Sequence, residues 1–350
     1  PGARPAPGEA LRNSKRLESL WNGNDLEEQQ AYDLMQQFAA AELDPAVAGA
    51  LLAGLRAKGE TAEEIRGFAR AMRELAVRPE IPDGAPTVET VGTGGDGSGS
   101  LNLSTGTGLL AAACGSRVVK HGNRSVSSKS GSADMLECLG VPLPLHAKEA
   151  VECLQATSFT FLFAPAYHPA MKAVMPVRNA MGVRTVFNIL GPLANPAKPP
   201  YQLIGAFSRD MAKLMAHALA GLDIERAFVV HGEPGWDEAT PVGEFWLYDV
   251  TPGKVEETTR SPEDYGLARC APDDLAGGDA EHNAAELVRV LTGEDKGAHR
   301  DALLMGTSLV LECQGAAKDP LDGVAQAAAA IDDGRSAAFL ESLKAHFADR

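Results

Sequence analysis

Thr87-Val88-Glu89-Thr90-Val91-Gly92-Thr93-Gly94-Gly95-Asp96-Gly97-Ser98-Gly99-Ser100 runs from β-branched residues straight into a turn dominated by glycine. Thr87 to Val91 reads as a strand. After the turn comes Asn102-Leu103-Ser104-Thr105, with Ser104 and Thr105 where a helix should begin. A strand, a glycine turn and a helix start open an α/β unit. Glycine lets the backbone approach a ligand closely, and successive exposed amides form a concavity that suits an anion. Hydroxyls and free amides at a helix N-terminus add a second cradle for phosphate.

The next segment carries the same bias. Lys120-His121-Gly122-Asn123-Arg124-Ser125-Val126-Ser127-Ser128-Lys129-Ser130-Gly131-Ser132 closes a window, from Asp96 to Asp134, that contains no acidic residue between its ends. Arg117, Lys120, Arg124 and Lys129 all fall inside it. In a chain of net charge −15, that is a local positive patch matched to a polyanion. Gly92-Thr93-Gly94-Gly95-Asp96-Gly97 also satisfies the G-x-G-x-x-G dinucleotide pattern. The acidic residue that pattern needs about 20 positions later would fall in the acid-free window. No G-x-x-x-x-G-K-[ST] occurs, which removes the P-loop reading.

Upstream the pattern is helical. Leu26 to Leu43, Pro45 to Lys58, and a run opening with the capping box Thr61-Ala62-Glu63-Glu64 predict a small helical unit over residues 19–80. Residues 1–18 read as a flexible tail, and 80–86 as a proline-containing linker. Downstream, Arg117 to Val119, Phe159 to Phe163, Leu203 to Phe207 and Ala227 to Val230 read as further strands alternating with helices. The α/β domain is placed at 87–350. A helix, Pro169 to Met181, and the irregular Asn188-Ile189-Leu190-Gly191-Pro192-Leu193-Ala194-Asn195-Pro196 break the alternation near 170–200, and this insert is expected to join the helical domain. Helical patterns starting at Ala280, Ala298 and Leu321 close the chain.

Charge and composition exclude other classes. A chain this acidic repels nucleic acid and anionic membrane over most of its surface, and no apolar run reaches the roughly 20 residues needed to span a bilayer. Five scattered cysteines, Cys114, Cys138, Cys153, Cys270 and Cys313, suit a reducing, cytoplasmic setting.

Two further groups bear chemistry. Asp237-Glu238 follows the strand at Ala227 to Val230, and adjacent carboxylates at the C-terminal end of a strand suit oxygen-preferring Mg²⁺. In the stretch Ala164 to Lys172, Tyr167, His168 and Met171 could flank a flat ring, and Arg178, two turns further along a helix, could hold a carboxylate.

Together, Val91 to Asp96, Asn102 to Thr105, Lys120 to Ser128, Asn188 to Pro196 and Asp237-Glu238 resemble the anthranilate phosphoribosyltransferase family, from about residue 20 to the C-terminus. The resemblance implies a small N-terminal helical domain hinged to a larger α/β domain with a central, mostly parallel sheet, the fold shared with nucleoside phosphorylases, and a homodimer formed through the helical part. It implies phosphoribosyl pyrophosphate contacts at Gly92, Gly95, Asp96, Ser100, Asn102, Ser104, Thr105, Lys120, Ser128 and Ser132, and Mg²⁺ ligands at Ser104, Asp237 and Glu238. Asn123 and Arg178 match anthranilate contacts, Gly92 serves both substrates, and His121 and His168 line the acceptor tunnel. Gly122 and Arg124 complete the substrate-binding set in the second loop.

The chain departs from the family pattern in three places. Ala239-Thr240-Pro241-Val242-Gly243 follows the acidic pair, Ser104-Thr105-Gly106-Thr107-Gly108 is rich in glycine, and Leu304-Met305-Gly306-Thr307 replaces an asparagine-containing helix. The implied reaction is phosphoribosyl transfer to anthranilate in tryptophan biosynthesis. A paralogue using another aromatic amine, a pyrimidine nucleoside phosphorylase and a non-enzymatic nucleic-acid-binding paralogue are the alternatives. An aromatic amine is an adequate nucleophile toward an oxocarbenium-like carbon, so no catalytic base is assigned.

Overall fold

A computed structural model describes residues 7–125 and 129–348. The chain divides into two compact units, Pro1–Val77 with Tyr167–Pro196, and Arg78–Ala166 with Ala197–Arg350. No helix among the described residues is long and apolar enough to cross a membrane.

The first unit is helical, with long helices at Pro7–Trp21, Glu28–Ala39, Pro45–Lys58 and Ala62–Leu75. Asp44 caps the third by accepting from the Ala46 amide at 2.8 Å, and Pro45 sits at the start, where its missing N–H costs nothing. The Thr61 capping box forms as its spacing predicts. Its Glu64 is fully buried and accepts from the Thr61 amide, the Leu26 amide and Lys58 Nζ, which ties three segments together. Residues 7–18 are helical, contrary to the expected flexible tail. Leu20, near the end of this helix, is buried beside Gly54 of the Pro45–Lys58 helix, which ties the helix to the unit at that end.

The expected helix from Pro169 to Met181 is broken into a 3₁₀ turn, Pro169–Ala173, and a helix, Met175–Met181. Pro176 has no N–H to continue the first piece, so it begins the second.

The second unit holds one seven-stranded sheet in the order β3-β2-β1-β4-β5-β6-β7. Its strands are β1 Thr87–Gly92, β2 Arg117–Gly122, β3 Phe159–Phe163, β4 Tyr201–Gly205, β5 Arg226–Gly232, β6 Phe245–Thr251 and β7 Lys254–Arg260. The first five run parallel and the last two antiparallel, so the sheet is mostly parallel. β4 begins two residues earlier than β-branching suggests, directly after Pro199-Pro200, with Tyr201 opposite Arg226. The β6–β7 hairpin was not anticipated. Its signal was Pro252-Gly253 between two seven-residue runs, and Gly253 takes φ +74°. β7 carries Lys254, Glu256, Glu257 and Arg260, a charged edge that discourages further pairing.

The Leu103–Ala113 helix is almost wholly buried. A side chain at Gly108 would meet Thr90 Oγ1 at 2.8 Å, and one at Gly306 would meet Thr107 Oγ1 at 2.4 Å. The glycine-rich start of this helix and the glycine of the Ala298–Cys313 helix therefore have a common cause: Gly108 permits close approach to β1, and Gly306 makes room for Thr107. A fourth closing helix, Arg335–Phe347, follows the three expected ones.

Candidate active site

β1 leads to β2 on one side, while β4 lies on the other, so the chain reverses direction across the sheet between β1 and β4. Open α/β sheets bind ligands at the carboxyl ends of strands at such a point. Three glycines floor the crevice there. A Cβ on Gly92 would stand 2.4 Å from Asp237 Oδ2, on Gly205 1.6 Å from the Asp237 carbonyl oxygen, and on Gly232 2.2 Å from that of Glu238. The Asp237-Glu238 turn therefore rests on the ends of β1, β4 and β5, closer than any side chain allows.

The glycine loop wraps this turn. Gly94, Gly95, Gly97 and Gly99 all have positive φ. The Gly94 amide donates to Asp237 Oδ2 at 2.6 Å, and the Ser104 amide, at the start of the Leu103–Ala113 helix, donates to Glu238 Oε1 at 3.1 Å. Asp96 accepts from the Ser98 amide at 3.0 Å and the Asp237 amide at 3.2 Å. The amides expected to cradle phosphate are thus held by carboxylates. Burial, reinforced by the Asp96 charge, pushes Asp237 up to about 7. Burial and Asp237 raise Glu238 well above the usual carboxylate range. Crowded, desolvated carboxylates of this kind call for a cation.

Lys120, on β2, is 2% exposed; its ammonium donates to the Thr90 carbonyl at 2.5 Å and to Ser104 Oγ at 3.2 Å. Burial lowers it to about 8 against the opposing pull of Glu89, Glu238 and Asp237. Asn102 is braced from two directions, with Oδ1 accepting from Ser130 Oγ at 3.1 Å and from Asn283 Nδ2 at 2.9 Å. Ser100 Oγ lies 3.2 Å from Ser98 Oγ. Thr105 is 1% exposed, in the first turn of the same helix.

The second loop is less uniformly an anion patch than its sequence suggests. Arg124 makes two hydrogen bonds to Glu137, both 2.6 Å, and one of 2.9 Å to Asp134, and it lies over the Phe163 ring. Those carboxylates stand on the Ser132–Cys138 helix, just past the acid-free window, and folding brings them back over it. Asn123 is exposed, and Ser132 Oγ donates to its carbonyl at 3.3 Å. His121 is buried, with its amide on Glu89 Oε1 at 3.0 Å. Gly122 ends β2, and Ser128 lies outside the described residues.

His168 and Arg178 belong to the helical unit. Arg178 lies over the Phe187 ring, 5.3 Å from its centroid. His168 is buried against the Ala194 carbonyl, and burial lowers it to about 4. The unfolded chain binds this proton below about 6.5, the folded one only below about 4. Stability is therefore lost as pH falls through that window, by up to about 3 kcal/mol. Urea unfolding at pH 7 and pH 4.5 is expected to show a smaller loss for His168→Gln than for the parent; equal losses would remove His168 from this account.

Glu89, Gly205 and Asn283 were not singled out from the sequence. Each sits in an ordinary context, a strand interior, a strand end or a helix, and only the fold places it beside a loop.

Residues 84–337 match the glycosyl transferase family a/b domain, and residues 15–76 the helical bundle domain of the same family. The chain is 44% identical over 333 residues to the anthranilate phosphoribosyltransferase of Rubrobacter xylanophilus, covering 95% of each. It is 46% identical over 318 residues to that of Solibacter usitatus, covering 90% of this chain and 93% of the other. The crystal structure of anthranilate phosphoribosyltransferase from Thermus thermophilus superposes with a TM-score of 0.89 at 42% identity, covering 95% of this chain and 99% of that one. The Saccharomyces cerevisiae enzyme in complex with PRPP and Mg shares the fold, with a TM-score of 0.87 at 24% identity over 99% of both chains.

Proposed function

The chain belongs to the anthranilate phosphoribosyltransferase family, and from that premise we propose how its own residues carry the reaction. It transfers the 5-phosphoribosyl group of phosphoribosyl pyrophosphate to anthranilate, giving N-(5-phosphoribosyl)anthranilate and pyrophosphate, a step of tryptophan biosynthesis. The observation that carries the assignment of the donor site is the buried Lys120 ammonium on the Thr90 carbonyl and Ser104 Oγ, at the helix start whose Ser104 amide meets Glu238.

The donor's phosphates take the amides of the loop Gly92, Gly95 and Asp96 and of the helix start at Thr105, while Ser104, whose amide is held by Glu238, offers its hydroxyl. Ser100, Asn102, Ser128 and Ser132 add polar contacts, and Lys120 adds positive charge from below. Gly122 and Arg124 shape the second loop, with Arg124 acting through its hold on Asp134 and Glu137. Ser104, Asp237 and Glu238 form an all-oxygen set, and the strain of two desolvated carboxylates side by side fits a hard divalent cation. Mg²⁺ held there would neutralise charge on the leaving pyrophosphate.

The bond from the ribose anomeric carbon to the pyrophosphate oxygen breaks, the anthranilate nitrogen bonds to that carbon, and the nitrogen then loses a proton. Holding the amine in line is the protein's main task, so positioning outweighs general base catalysis. Asn123 and Arg178 hold anthranilate, Arg178 through its carboxylate, and the neutral His168 together with His121 lines its approach. Arg178→Ala is expected to raise KM for anthranilate about tenfold or more, the scale of a lost charged hydrogen bond, with KM for phosphoribosyl pyrophosphate little changed. Equal effects on both substrates would remove Arg178 from the acceptor site.

A homodimer formed through the helical unit is supported by exposed Trp21 and Val183 on that unit, 65% and 54% accessible. A reducing, cytoplasmic setting is supported by the five cysteines, which form no disulfide among the described residues.

The test is loss of anthranilate fluorescence with purified protein, against controls lacking phosphoribosyl pyrophosphate or Mg²⁺. Loss that requires both supports the reading; no loss and no donor binding by calorimetry overturns it.

A further inference from the structure

β1 and β2 carry the two substrate loops, and they part before they end. β1 pairs with β4 as far as Gly92↔Gly205, and β2 with β3 as far as Gly122↔Phe163. Between β1 and β2, among the described residues, the register runs over Thr87↔Arg117 and Val88↔Val118 alone. Backbone groups along a strand face alternate neighbours. The Val118 amide donates to Ser158 on the β3 side, so the His121 amide faces β1. The Thr93 amide donates to Gly205 on the β4 side, so the Thr90 carbonyl faces β2. In a continued ladder these two groups would bond each other.

Side chains take both instead. Glu89 Oε1 accepts from the His121 amide at 3.0 Å, and Lys120 Nζ donates to the Thr90 carbonyl at 2.5 Å. Glu89 is 0% exposed and Lys120 2% exposed. The two strands therefore stay apart without leaving either of these buried backbone groups unbonded, and the ammonium gains a place beside Ser104 Oγ.

We propose that Glu89 is a positioning residue for donor binding: by accepting the His121 amide it holds the ends of β1 and β2 apart, so that Lys120 sits between the two loops. The inference rests on the donor site assigned above. Glu89 touches no substrate and acts through the spacing of the strands. What matters is an acceptor of the right length, so a neutral isostere serves and a side chain too short or apolar does not.

The experiment compares the full chain with Glu89→Gln and Glu89→Val, measuring phosphoribosyl pyrophosphate binding by calorimetry in the presence of Mg²⁺, KM for each substrate, and thermal unfolding. Glu89→Val is expected to weaken donor binding at least about tenfold with KM for anthranilate within about threefold, the charged hydrogen bond being lost. Glu89→Gln is expected to stay within about threefold of the parent in both. If Glu89→Val does not fold, Glu89→Ser carries the same expectation, since its short side chain cannot reach the His121 amide. Unchanged donor binding in a folded Val or Ser variant overturns the proposal, as does a loss shared equally by both substrates or a loss in Glu89→Gln as large as in Glu89→Val. A parent protein that binds no phosphoribosyl pyrophosphate overturns the donor-site reading itself, a result distinct from these.

Discussion

Gly205→Ala is expected to lower kcat/KM for phosphoribosyl pyrophosphate by about 100-fold or more, although residue 205 offers no side chain to any substrate. Its added methyl would lie 1.6 Å from the Asp237 carbonyl oxygen, whereas ordinary contact begins at 3.4 Å. The obstacle is backbone, so no rotamer relieves it, and the turn must rise by about 2 Å. Asp237 and Glu238 would rise with it, away from the Gly94 and Ser104 amides they now meet. Displacement of a positioning group by about 1 Å can cost about 100-fold in rate, and overpacking of this kind costs ~1–3 kcal/mol in stability. Steady-state kinetics with the donor varied, beside a thermal melt, check both. A variant with parental kcat/KM would show that the acidic turn does not need its present height above the sheet.

The same residue marks where sequence reading stops. Glycine-rich loops, the charge bias of 97–133 and the acidic pair were legible because each is a local pattern of residue types whose chemistry is stated by their proximity in the chain. The parallel strands were legible from β-branching, and the capping box at Thr61 from its spacing. What was not legible is contact at long range. Gly205 reads as any strand-ending glycine until β4 is set beside β1 and Asp237 is laid across both. Arg124 reads as part of an anion patch until the Ser132–Cys138 helix returns Asp134 and Glu137 to it. Glu89 reads as a polar residue in a strand, an unremarkable exception to alternation, until the pairing of β1 and β2 is seen to lapse beside it. The β6–β7 hairpin differs, since Pro252-Gly253 was a local signal that went unused.

Lys120→Met should separate two roles that coincide in one ammonium. Methionine approximates the length of lysine and fills the space, so the loss is of charge and of the hydrogen bonds to the Thr90 carbonyl and Ser104 Oγ. Stability should fall most at and above the pH of about 7 where Asp237 ionises, because the buried carboxylates then keep their burial without their counter-charge. That loss should shrink as pH drops, since protonating the carboxylates removes the charge that Lys120 had offset. Donor binding by calorimetry should weaken about 100-fold or more, because the desolvated ammonium proposed to meet the donor's phosphates is lost. The two effects need not recover together. Lowering the pH relieves the buried carboxylates but restores no positive charge, so the variant should regain stability on acidification while its donor affinity stays low. Stability and donor affinity recovering in parallel would mean that Lys120 serves the fold of the crevice alone, and that the loop amides suffice to hold the pyrophosphate.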